Sequence, residues 1–290
     1  MEVRPDYNSD SHATHDQLFV VIGAQRTGTN ILRETLNTND QIAMLGEVLT
    51  PSRAPAHWNN FLRDLPPGSS HVAGAAEAEA LIDRYFEFVR YRIRNHWEGE
   101  RKRRSHAFGI DIKYNQLRQI EPSNWERDCP FILSYLRSRG ATLVHTTRNV
   151  IHSAISASIA SKRNLWHNYN GATIDSRYHI DIDDCLAIAR TITRDHDRFL
   201  DYVSDSKVVN CSYESLIRDL ERAGSGEHIP EGPGPLSDIA IALRCAFDFR
   251  HDRRLEKAIN VGYSTLLSNY DALARRLENS EFARLVSTLT

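Results

Sequence analysis

The chain has 290 residues, 36 basic and 38 acidic side chains, and a formal charge of −2. With the charges so nearly balanced, no global field draws it to nucleic acid or to an anionic membrane, so any anion site must be built locally. At 41% hydrophobic and 26% charged residues, the composition is that of a globular chain, long enough for one large α/β domain with a substantial core.

The polar segment MEVRPDYNSDSHATHD reads as a flexible arm over residues 1–16, with too few apolar side chains to bury and no secretory signal. Residues 17–290 are expected to form a single domain. Leu18–Ile22 is a continuous apolar run, as suits a central parallel strand covered on both faces. Gly23 ends it, and a helix is expected over Thr27–Thr38. Pro51, Pro55, Pro66, Pro67 and Gly68 mark an irregular excursion over 51–70. Apolar residues recur at helical spacing from Ala75 to Trp97. After the basic run Arg101–Arg104 come a short strand, Phe108–Lys113, and a helix over Arg127–Arg139 closed by Gly140.

Ala141–Thr147 reads as a second buried strand, with a helix following over Asn149–Ser161. A long amphipathic helix over Asp183–Val203 leads to a strand at Lys207–Cys211 and a helix from Tyr213 to Arg222. Gly224–Pro235 reads as a loop, and helices fill the remainder. The strand–helix alternation predicts an α/β fold of three layers, a central, mostly parallel sheet flanked by helices, in the manner of the P-loop NTPases. No stretch reaches the roughly 20 apolar residues that span a bilayer. Cys129, Cys185, Cys211 and Cys245 form no CxxC pair, so neither a zinc site nor a dense disulfide framework is expected. A reduced, cytoplasmic setting follows as the expectation.

Strand, glycine turn and helix form an anion site, because backbone N–H groups and the helix dipole converge there. The segment Gly23–Asn30, GAQRTGTN, nearly fits GxxxxGK[ST]. Thr29 stands in the lysine position and Asn30 in the magnesium-binding hydroxyl position, which disfavours an ATP-dependent kinase. A plain strand–helix turn with a solvated Arg26 is the other reading of this segment alone.

Arg26-Thr27-Gly28-Thr29-Asn30 resembles the phosphosulfate loop of the sulfotransferases, with Asn30 replacing the usual hydroxyl residue. Arg148, at the end of the second strand, and Ser156, eight residues on, resemble that family's 3′-phosphate site. Phe108–Lys113 is similar to its strand ending in an active-site lysine. Tyr213-Glu214-Ser-Leu216 is similar to its Tyr-Glu-x-Leu/Met element, whose tyrosine lies near the adenine.

The resemblance covers Phe19 to Leu216. It implies sulfuryl transfer from 3′-phosphoadenosine 5′-phosphosulfate (PAPS), without a metal, to a hydroxyl or amine of a small-molecule or carbohydrate acceptor. Arg26, Thr27, Gly28, Thr29, Asn30, Arg148, Ser156 and Tyr213 would hold the donor, and Arg26 and Lys113 would stabilise the leaving phosphate. The usual Lys-x-His is absent, since Lys113-Tyr114-Asn115 stands there. Glu47, in the apolar context Met44–Leu49 and placed as the base is in several bacterial members, is therefore the expected base.

His145 is expected to be packed in its strand, and nothing selects His152 or His167. Arg250–Arg254 and Lys257 are alternatives for covering the 3′-phosphate. Trp58, Trp97, Trp166, Tyr169 and Tyr178 are acceptor-wall candidates. A non-catalytic nucleotide-binding protein with this fold is the alternative outside enzymes, and oligomeric state, a homodimer included, is left open.

Overall fold

The computed structural model describes residues 17–51, 56–66, 72–96, 105–163, 177–223, 226–251 and 262–289. The expected arm, the Arg101–Arg104 run, Trp97, Trp166, His167, Tyr169, Arg253, Arg254 and Lys257 lie outside them. In chain order come β1 (Gln17–Gly23), α1 (Thr29–Asn37), β2 (Ile42–Leu45), α2 (Trp58–Arg63), α3 (Ala75–His96) and β3 (Ala107–Lys113). Next are α4 (Phe131–Ser138), β4 (Thr142–Thr147), α5 (Val150–Arg163), α6 (Ile182–Val203), β5 (Val208–Ser212) and α7 (Tyr213–Glu221). Then follow α8 (Pro235–Ala242), α9 (Tyr263–Leu266), α10 (Tyr270–Glu278) and a 3₁₀ turn at Ala283–Thr288.

The strands form one sheet of order β2-β3-β1-β4-β5, and every pairing is parallel. Each pairing therefore needs a crossover, and the helices that supply the crossovers cover both faces. Val20 and Ile22 of β1 pack with Ile110, Ile112 and Leu143 beneath α3, α4 and the end of α6. Phe19 and Val21 point the other way, into a core with Leu32 and Leu36 of α1, Leu216 of α7 and Leu236 of α8. This two-faced burial is why the run Leu18–Ile22 shows no polar alternation. A satellite core joins α5 and α6 to α9 and α10 through Ile155, Leu186, Leu266 and Leu273.

One strand was not expected from the sequence, and one helix start is corrected. Ile42–Leu45 is an edge strand paired with β3; at four residues, IAML is too short to declare a period. The helix expected from Arg127 begins at Phe131, because Pro130 precedes it with an extended ψ of 138°, and a proline disfavours helical geometry in the residue before it.

Gly23 closes β1 beside β4 with no room for a side chain. A Cβ there would lie 2.2 Å from Thr146 Oγ1 and 2.5 Å from the Thr146 carbonyl oxygen. Gly23→Ala is expected to cost about 1–3 kcal/mol, the usual cost of overpacking, read as a lowered midpoint in chemical denaturation.

Candidate active site

Because all five strands are parallel, the loops after β1, β3 and β4 emerge at one edge of the sheet, with Gly23 level with Lys113 on one side and Thr146 on the other. This register brings segments distant in the sequence together at the first loop. Gly28 caps α1 in a left-handed conformation, φ 85°, which glycine adopts without steric cost. A Cβ at Gly28 would also lie 2.4 Å from Cδ2 of Tyr213, so the tyrosine ring rests on the glycine face. Thr27 turns its hydroxyl inward, donating to the Ala24 carbonyl at 2.8 Å and lying 3.2 Å from Thr146 Oγ1. Asn30 sits in the first turn of α1.

Arg26 is the meeting point. Its Nε donates to Ser156 Oγ at 3.1 Å, and its carbonyl accepts from Arg148 Nη1 at 3.1 Å. The Arg148 guanidinium stacks on the Tyr213 ring, 4.3 Å from its centroid. Its Nε is buried and finds no hydrogen-bond partner among the described residues. Burial first, and then neighbouring Arg148, lower the Arg26 pKa, while Glu47 and Tyr213 act in the opposite direction. Two half-buried guanidiniums held this close repel each other, and an anion between them would relieve that repulsion.

Lys113 reaches the loop from β3. Its ammonium is buried, donates to Thr29 Oγ1 at 2.6 Å, and lies 3.6 Å from Glu47 Oε1. Glu47 also accepts from the Thr50 hydroxyl at 3.2 Å. Thr50 Oγ1 accepts from Gln116 Nε2 at 2.8 Å, and Gln116 Oε1 accepts from the Lys113 amide at 2.9 Å. The turn bearing Glu47 is thus moored to the strand end bearing Lys113. Apolar Val48 and Leu49 follow Glu47 in the chain and are buried, but the carboxylate itself meets a cation and a hydroxyl.

Three non-glycine residues among those described have positive φ: Arg26 at 67°, Glu47 at 25° and Arg244 at 50°. Such conformations cost about 1–3 kcal/mol each and persist where surroundings enforce them, often at functional sites. Two of the three belong to this cluster.

The second loop is held from the far end of the chain. Asn149 Nδ2 donates to Thr288 Oγ1 at 2.8 Å, and His152 Nε2 lies 2.9 Å from the Thr288 carbonyl oxygen. Glu214 accepts from the Asn149 amide at 3.0 Å. Trp58 is buried against Phe61 and Tyr85, with ring centroids at 5.7 and 4.9 Å, so it packs in the core and presents no acceptor face. Tyr178 is half-buried against the satellite core. Among the described residues no three or more His, Cys, Asp or Glu side chains gather in a group that could hold a metal ion.

His145 is buried in β4, its Nε2 2.6 Å from the Tyr114 hydroxyl, with the rings of His196 and Phe199 at 5.2 and 4.7 Å. Burial, and secondarily His196, lower its pKa to about 4 from the ordinary 6.5, against a hydrogen bond with Asn210. The unfolded chain therefore takes up this proton at higher pH than the folded one. The associated stability, about 3 kcal/mol, is fully present above pH 6.5 and is lost as pH falls towards 4. Denaturant midpoints should drop across that window, and His145→Asn should flatten the drop.

Side by side, a parallel three-layer sheet and two strand–loop–helix junctions at its carboxyl edge define a P-loop-like α/β protein. A family model described as the sulfotransferase family matches residues 18–223. The chain belongs to that family and is a transferase of sulfuryl groups. No curated protein matches it.

Proposed function

We propose that the chain transfers a sulfuryl group from PAPS to a hydroxyl or amine of a small-molecule or carbohydrate acceptor, within one domain spanning residues 17–290. The observation that carries the donor assignment is the junction at Arg26, which joins the first loop to Ser156 and Arg148 of the second. A donor with a phosphosulfate at one end and a 3′-phosphate at the other needs two such loops side by side. A γ-phosphate donor with magnesium needs the lysine and hydroxyl that Thr29 and Asn30 replace.

On this reading the turn Gly23–Asn30 receives the 5′-phosphosulfate through backbone N–H groups and the helix dipole. Arg148 and Ser156 hold the 3′-phosphate, with Tyr213 beside the adenine. Glu47 takes the acceptor proton as the acceptor oxygen or nitrogen attacks sulfur in line. The bond from sulfur to the bridging oxygen breaks, and its electron pair passes to the 5′-phosphate, giving 3′-phosphoadenosine 5′-phosphate (PAP). Arg26 and the Lys113–Thr29 pair stabilise the charge that develops there. Such fixed donors, aimed where charge appears, commonly supply the largest share of catalysis.

A thermal-shift panel tests the reading. PAP should raise the unfolding temperature, whereas ATP with magnesium should not; stabilisation by ATP–magnesium alone would replace this reading with a kinase. The same panel, extended to sugars and small phenols in the presence of PAP, addresses the acceptor.

A further inference from the structure

The strand that ends in Lys113 carries a second charge on the same face. Asp111 lies two residues earlier in β3, so the two side chains project together, and each residue is 1% exposed. Lys113 Nζ donates to Asp111 Oδ1 at 3.0 Å and Oδ2 at 2.8 Å, besides Thr29 Oγ1 at 2.6 Å. Of the three protons an ammonium carries, Asp111 and Thr29 receive hydrogen bonds, and Glu47 Oε1 stands off at 3.6 Å. A buried ion pair is seldom better for stability than an apolar pair of similar volume. Its place beneath the donor loop gives it a different use.

Resting on the reading of Lys113 as part of the transfer site, we propose that Asp111 is a positioning residue for sulfuryl transfer. It fixes Lys113 Nζ against Thr29 and beside Glu47. A hydroxyl that accepts from an ammonium keeps its own proton to donate, so this arrangement leaves the Thr29 proton available to an anion in the Gly23–Asn30 turn. Asp111 also neutralises Lys113 within the fold, so the pull on resting PAP comes mainly from Arg26 at the 5′ end and Arg148 at the 3′ end, while Lys113 acts on the leaving phosphate through the Thr29 hydroxyl. Loss of the carboxylate should therefore impair turnover while leaving PAP affinity undiminished.

The test compares the full chain with Asp111→Asn, Lys113→Met and the double variant. Without ligand, Asp111→Asn should lower the unfolding temperature by about 10 °C, because it takes the nearer, fully buried carboxylate from a buried cation, leaving it Glu47 at 3.6 Å. The double variant should recover at least half of that loss, whereas additive losses would overturn the coupling. With PAPS, and water or an identified acceptor as the second substrate, kcat of folded Asp111→Asn should fall about 100-fold, the scale of a small misplacement at a reacting centre. KM for PAPS and affinity for PAP should stay near the wild-type values. Unchanged kcat, or a loss confined to KM, would overturn the positioning role. Failure of the wild-type chain to bind PAP would remove the donor reading instead, and the unfolding cycle would then decide the Asp111–Lys113 coupling by itself.

Discussion

Glu47→Gln is expected to lower turnover by about 10²–10⁴-fold, the usual contribution of a positioned general base, while PAP binding stays close to wild type. The amide keeps the size and the hydrogen bond with Thr50 but cannot take the acceptor proton. Glu47 does not sit on a regular element that would place it by default. Its φ of 25° is held by the Thr50 and Gln116 bridge to the end of β3. Release of PAP from PAPS, followed with the first acceptor the panel identifies, measures the loss. Near-normal turnover would remove Glu47 as the base. A parallel loss of PAP affinity would make it part of the donor site.

The second large effect concerns Arg148. The wild-type chain should prefer PAP to adenosine 5′-phosphate by about 100-fold, since two charge-assisted hydrogen bonds to the 3′-phosphate contribute about 1.5 kcal/mol each. Arg148→Ala should remove most of that preference, leaving what Ser156 supplies, and weaken adenosine 5′-phosphate far less. The guanidinium also braces the Arg26 carbonyl and the Tyr213 ring, so some loss at the first loop should accompany it. Arg148→Lys should recover little, because an ammonium lacks the planar fork. Calorimetric titration of both nucleotides decides the matter, and an unaltered ratio would place the 3′-phosphate elsewhere.

The frame was legible in the chain where burial on both faces left a long apolar run, as at Leu18–Ile22, and at Ala141–Thr147, where Leu143 and Val144 sit among β-branched threonines after a helix-stopping glycine. It was illegible at β2, where four residues give no period. The two loops could be recognised because their chemistry is local: a glycine turn with an arginine, and an arginine eight residues before a serine. What joins them is not local. The Arg26–Ser156 bond depends on β4 lying beside β1, and strand order is not written in any one segment. Asp111 did leave a signal, a lone acid two residues before a lysine in the otherwise apolar Phe108–Lys113. Its meaning required knowing that Thr29 and Glu47 converge on the same ammonium. The Thr50–Gln116 bridge left none, since both are ordinary polar residues beside a turn.

The bonds that unite the cluster join residues 84, 122 and 130 positions apart. Chain entropy must be lost over those spans before any contact rewards it. Helices such as α3 and α6 can gain their local hydrogen bonds much earlier. A refolding chain should accordingly recover its far-ultraviolet helix signal before any capacity for PAP, with an interval in which the backbone is largely ordered and the Arg26 junction has not yet formed. PAP added during that interval should speed no early phase, and should only draw the last closure towards completion.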